Sequence, residues 1–229
     1  MIKKSSKLLQ SKFINSWNLF WLITLPISTL MVLLVIFLEL NSGPTVSSMI
    51  QISVRCAVPL LFLTFAASSI NVLFPSTFGR WILRNRKYFG LAFAAAMAWQ
   101  LFFILWMIVK YTDYYVQEVY ALSDLIEGLG GYFLLIAMVL TSFKFGRSRL
   151  TAKQWKLLHS VGIYWLWIYA WVAYWWNLFY YNQPNSLDYV YYWAGFLSWD
   201  LRMAAWTKKR WPKVIDLSIS KAKSQLFYL

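Results

Sequence analysis

The chain has 229 residues, of which 60% are hydrophobic, 21% aromatic and 13% charged, with a formal net charge of +14. So apolar a composition excludes an ordinary soluble domain, and the apolar residues fall in runs of about 20, enough to cross roughly 30 Å of hydrocarbon. A single cysteine, Cys56, excludes an internal disulfide and a cysteine metal cluster. The basic residues come as short clusters at helix ends, which favours anionic headgroups over nucleic acid as their partners.

A basic segment, 1–16, precedes the first apolar run, Trp17 to Leu40. That run is too long for a cleaved signal peptide and no small-residue cleavage site ends it, so a retained span is expected over 17–40. Asn41-Ser42-Gly43-Pro44 breaks the chain before a second helix at 48–74, which ends at Pro75-Ser76. Further helices are predicted at 88–110, 122–145 and 155–180 and, after Asn182-Gln183-Pro184-Asn185, at 187–207. A basic tail, 208–229, follows. The expected fold is all-α, an integral membrane six-helix bundle over 17–207 with no internal repeat and no second domain.

The charges orient this bundle. Of the 22 lysines and arginines, all but Arg55, Lys110 and Arg202 precede the first span, lie in the second-to-third or fourth-to-fifth connection, or follow the sixth span. The other connections hold Asp113, Glu118, Asp124 and Asp188, with Glu39 and Glu127 at span ends. Positive loops stay in the cytoplasm, so both termini are expected there, which requires an even number of spans.

Arg55 lies about two turns inside the second span. An arginine there faces the bundle interior with a partner, and Glu39, Glu127 and Asp124 are the candidate acids. A structural ion pair is expected, since no chain of acids crosses the bilayer to relay protons. Asp200 and Arg202 are expected to meet the basic inner loops and headgroups. The fifth helix is loaded with aromatic residues, from Tyr164 and Trp165 to Phe179 and Tyr180. Its smaller face, His159, Gly162, Leu166, Ala170 and Ala173, permits close helix approach. The rings must fill the bundle, meet lipid or meet another protein. Motifs for nucleophilic catalysis, phosphate binding or metal hydrolysis are not visible, so no catalytic residue and no metal site is assigned.

Three blocks carry a family resemblance. Arg55 to Met97 contains Arg84-Asn85-Arg86-Lys87-Tyr88-Phe89-Gly90-Leu91 after a proline turn. Gly130-Gly131-Tyr132 runs through Met138 to Thr141-Ser142. Trp155-Lys156-Leu157-Leu158-His159 is followed by Gly162, Tyr164 and Trp167. In order and spacing, over about residues 50–207, these blocks resemble the ferric reductase-like transmembrane domain, in particular its bacterial branch. The resemblance implies a bacterial cytoplasmic (inner) membrane and b-type haem held between helices by paired histidines. This chain has one histidine. His159 matches the first histidine of the family's fifth helix, but the partner position one haem spacing along falls on Val172 and Ala173. The third-helix histidines align with Met97 and Gln100. Met97 is the plausible second ligand on that helix, as thioethers serve beside histidine in cytochromes c, with an unidentified ligand or one from another protein as the other source. At 1.5 Å per residue, however, Met97 lies roughly 13 Å deep and His159 roughly 6 Å.

The expected function is therefore that of a haem-poor or haem-free relative of the family. It would act as a non-catalytic membrane subunit or partner-binding protein, embedded in the lipid bilayer. The alternative is a membrane haem b electron-transfer protein using His159. A weaker third reading is a quinone- or small-molecule-binding protein. The 22 or so residues after the sixth span are too few for a FAD- or NAD-binding domain, so electrons would have to come from a separate reductase.

Overall fold

The structure, a computed structural model, describes residues 9–119, 122–180 and 184–226, with 122–125 and 211–226 described by their backbone alone. Among the described residues the chain is helical and has no strand. Its six long helices are α1 (Ser16–Leu38), α2 (Gly43–Leu73), α3 (Thr77–Lys110), α4 (Leu122–Leu140), α5 (Ala152–Phe179) and α6 (Ser186–Leu226).

Local chemistry sets the boundaries. Ser42 Oγ accepts from Thr45 N (3.4 Å) and Pro44 occupies the first turn, where a missing N–H costs nothing, so α2 starts at once after α1. Ser76 Oγ accepts from Gly79 N at 3.0 Å, which starts α3 at Thr77 rather than at 88. Arg80, Arg84, Arg86 and Lys87 are thereby on helix, not in a loop. Thr151 and Gln154 cap α5 reciprocally. At the end of α4, Thr141 and Ser142 turn their hydroxyls back onto the Ala137 and Met138 carbonyls (2.7 Å each), and the helix stops short of 145. At its other end α6 continues well past 207.

α1, α2 and α3, at 23, 31 and 34 residues, are long and apolar enough to cross a membrane, and α4 holds a shorter apolar stretch, Ile126–Leu140. The protein is a membrane protein. α5 and α6 have the length, at 28 and 41 residues, but their many tryptophans and tyrosines are less apolar and favour membrane interfaces. The outer faces carry apolar side chains where a soluble protein would carry charge: Ile36 is 63% and Phe37 76% exposed.

α2 is the central element, packed on α3, α6, α5 and α1, while α4 leans mainly on α5 and only sparsely on α3. One core unites Leu61, Phe65, Phe93, Leu135, Leu166 and Trp167. A second, with Met31, Val46, Met49, Phe103 and Met107, joins α1, α2 and α3. Pro59 interrupts α2 and has no N–H to give the Arg55 carbonyl one turn back. Tyr191 of α6 supplies that donor through its hydroxyl (3.0 Å), so the break also locks α6 to α2.

The aromatic residues of α5 divide. Trp167 and Tyr174 are buried, with Trp167 stacked on Phe65, Trp171 and Trp199 at 5.2, 5.8 and 4.9 Å between centroids. Trp165, Trp176 and Phe179 face outward. On the smaller face, Gly162 does allow close approach: a Cβ there would strike the Met138 sulfur of α4. Ala173 is exposed.

Candidate functional site

At the end of the bundle where the arginines gather, α2, α3, α4, α5 and α6 enclose a cavity of about 580 Å³. Its inner wall is apolar, built from Leu61, Phe93, Leu135, Ile163 and Leu166. Its mouth holds Arg86 and Lys87 from α3, Arg147 from the turn after α4, Lys156 from α5 and Arg202 from α6. Among the described residues that line it there is no aspartate or glutamate.

Three of the arginines are tethered. Arg86 Nε donates to the Thr64 carbonyl (3.0 Å), Arg202 Nη1 to the Phe65 carbonyl (3.3 Å) and Arg147 Nη1 to the Leu150 carbonyl (2.9 Å). The Arg202 guanidinium also lies 4.3 Å from the Phe65 ring centroid and 4.5 Å from that of Tyr164. Arg202 thus turns into the bundle rather than out to headgroups, which corrects the expectation for it; Asp200 is exposed. Each guanidinium has five donors, and the tether uses one. Arg86 and Arg202 lie close enough to repel each other.

The neighbouring part of the Arg84–Lys87 motif has a different use. Asn85 is fully buried; its amide donates to Asn15 Oδ1 (2.8 Å) and the Trp81 carbonyl (3.0 Å), and its Oδ1 accepts from Ser16 N (2.9 Å). Arg84 donates to Asn15 Oδ1 (2.7 Å) and the Leu9 carbonyl (2.9 Å). The first two residues of the motif clamp the start of α1 and the last two charge the cavity.

His159 is in the cavity wall. Its Nε2 is 3.1 Å from Thr141 Oγ1 and its ring packs on Trp155 at 4.4 Å. The Thr141 hydroxyl has one proton, and the short contact to the Ala137 carbonyl (2.7 Å) takes it. With that proton on the Ala137 carbonyl, Thr141 Oγ1 is left to accept, an arrangement that suits a ring protonated at Nε2. Trp155 Nε1 reinforces the junction by donating to the Thr141 carbonyl (3.1 Å).

Met97 is not among the cavity's walls. It is half-buried against the main core, and its carbonyl lies 3.3 Å from the Tyr132 hydroxyl, which also donates to Gln100 Oε1 at 2.8 Å. Among sulfur residues it is Met138 that shares the cavity with His159, and its sulfur is lodged against Gly162. Haem, the group the resemblance implies, does not fit these donors. A histidine that held haem would turn an unprotonated ring nitrogen to the iron, and a paired site would need a second ligating side chain nearby. Here Nε2 is engaged with Thr141 Oγ1, Met97 is not among the cavity's walls, and Ala173 faces outward. Among the described residues no group of three or more His, Cys, Asp and Glu side chains could hold a metal ion.

Comparison with known proteins adds no relative: no family model, curated protein or solved structure matches the chain.

At the opposite end Arg55 meets Asp188, with Nη2 3.8 Å from Oδ1, a pair whose side chains are 26% and 6% exposed. This corrects the expected partners. Glu39 is exposed and accepts from the Asn41 amide (3.1 Å), Glu127 is exposed, and the side chain of Asp124 lies outside the described residues. Asp188 has the better support. It sits in the first turn of α6, where a negative charge is favoured, and its Oδ2 accepts from Asn185 N at 2.9 Å. The spacing Asn185-x-x-Asp188 at a helix start was the available signal. The cavity was missed because its arginines come from separate elements, each readable alone as a topological charge.

Proposed function

We propose that this chain is a haem-free member of the ferric reductase-like group that works as a non-catalytic, partner-binding membrane subunit. In this reading six helices span a bacterial inner membrane with both termini in the cytoplasm. The observation that carries it is the 3.1 Å contact between His159 Nε2 and Thr141 Oγ1, which engages the chain's one histidine in joining the end of α4 to α5. Further support comes from Trp167 and its stacked neighbours, which fill the space between α2, α5 and α6 with rings of the chain itself.

Protein expressed with excess haem precursor and purified alone is expected to carry less than about one haem per ten chains by pyridine haemochrome assay, given the ligand shortage. Near-stoichiometric haem that disappears in His159→Ala would overturn the reading in favour of a haem b electron carrier.

The orientation has its own test. Arg86, Lys87, Arg147, Lys156 and Lys208 gather toward one end, and that end belongs in the cytoplasm. Reporter fusions at residue 229 and within 182–187 should report cytoplasm and exterior respectively; the same signal from both sites is incompatible with six spans.

A further inference from the structure

The cavity's charge is unbalanced. Arg86, Arg147 and Arg202 are each only partly exposed, share one mouth with Lys87 and Lys156, and have no carboxylate among the lining residues. Among the described residues the one ion pair is Arg55–Asp188, at the far end. Unpaired charge away from water is costly, and backbone carbonyls, which hold these guanidiniums in place, carry no formal charge to offset it. An anion that enters the mouth meets donors already oriented on three helices and a turn.

The cavity adjoins a second, apolar space. Leu91, Leu135 and Val139 line it and at the same time line a groove of about 380 Å³ between α1, α3 and α4. The groove exists because α3 presents Ala94, Ala95 and Ala98 to the sparsely packed α4, so no side chain fills the seam. Its remaining walls are apolar, Phe20, Leu101 and Ile136 among them, and Ala98 is exposed on the bundle's outer surface. Donors for an anion and a hydrocarbon channel thus adjoin across three shared side chains.

We infer that cavity and groove form one binding site for a phosphate-headed amphiphile, a single anionic lipid. Arg86, Arg147 and Arg202 hold the phosphoryl oxygens, and one hydrocarbon chain runs past Leu91, Leu135 and Val139 into the α3–α4 groove. Planar guanidiniums suit phosphate by bidentate, charge-assisted hydrogen bonds. Ser160, also in the wall, adds a hydroxyl donor. The site depends on residues named here and not on the family resemblance, and its test reads lipid, not haem.

The test uses the full chain, delipidated in detergent, with native mass spectrometry and Tm as readouts. The probes are dioleoyl phosphatidic acid, dioleoyl phosphatidylglycerol, dioleoyl phosphatidylcholine and inorganic phosphate. Both anionic lipids are expected to bind as a single retained adduct and to raise Tm. Phosphatidylcholine should bind at least about tenfold more weakly, since its choline repels the same cations. Inorganic phosphate, without a chain for the groove, should fall well short of the lipids. Arg86→Gln/Arg202→Gln is expected to lose the adduct, and so is Ala98→Phe, which fills the groove from its exposed side. Lys153→Gln/Lys209→Gln, equal in charge but outside the cavity, should keep it. Equal binding of phosphatidylcholine, an undiminished adduct in the arginine variant, protection by phosphate equal to that by lipid, or equal loss in the lysine variant would each overturn the site. If the arginine variant does not fold, the headgroup comparison on the native chain and Ala98→Phe decide.

Discussion

Trp167→Ala should lose about 3–5 kcal/mol of stability, the range for deleting a large buried aromatic, seen in detergent as a fall in Tm on the order of 10 °C. Trp167 is 7% exposed and joins three helices at once. Its ring stacks on Phe65 of α2 at an interplanar angle of 13° and on Trp199 of α6 at 22°. Its indole N–H donates to Ser198 Oγ (2.9 Å) and the Gly195 carbonyl (3.2 Å), a polar tie in an apolar setting. Truncation leaves a void at the centre and frees α6 from α5. Trp193→Ala is the matched control. That ring is 62% exposed, and its loss should stay within about 0.5 kcal/mol, as surface substitutions do. Similar small shifts for both would mean that the aromatic stack does not organise the bundle.

The second large effect belongs to the pair at the opposite end. Asp188→Ala leaves Arg55 without its carboxylate and also removes the acceptor for Asn185 N at the start of α6. Breaking one side of a buried pair costs about 3–5 kcal/mol, and a lost helix cap about 1 kcal/mol. Arg55→Leu should cost less, because Asp188 keeps Asn185 N and the Asn177 amide as partners. Arg55→Leu/Asp188→Leu should recover much of the loss, since neither charge is then stranded. A double-mutant cycle on detergent unfolding checks this. Strict additivity, or an unchanged Tm for Asp188→Ala, would show that the two residues do not act as a pair.

How far the sequence foretold these features depends on how local each one is. The breaks at Asn41–Pro44 and Pro75–Ser76 were readable because proline, glycine and capping serines act within a few residues. The start of α3 was misplaced because four basic residues looked like loop, although Ser76 and Gly79 carried the cap that extends the helix over them. His159 was singled out as a haem ligand, and it lines the cavity. Its partner, Thr141, comes from the end of another helix. The convergence of Arg86, Arg147 and Arg202 is tertiary throughout, and so is the choice of Asp188 over Glu39 and Glu127 as the partner of Arg55. What decides such pairings is which helices α2 packs against.

The protonation of His159 is the most direct test of the central claim. With one histidine in the chain, uniform ¹⁵N-histidine labelling yields a single imidazole, and two-dimensional ¹H–¹⁵N spectra in detergent at pH 8 assign its two nitrogens without ambiguity. The expected result is a neutral ring protonated at Nε2, with the free lone pair on Nδ1, and a shift of the Nε2 resonance when Thr141→Val removes the acceptor. A ring protonated at Nδ1 with Nε2 bare, or broadened and shifted by iron when haem is supplied, would contradict the account and return His159 to the role of a haem ligand.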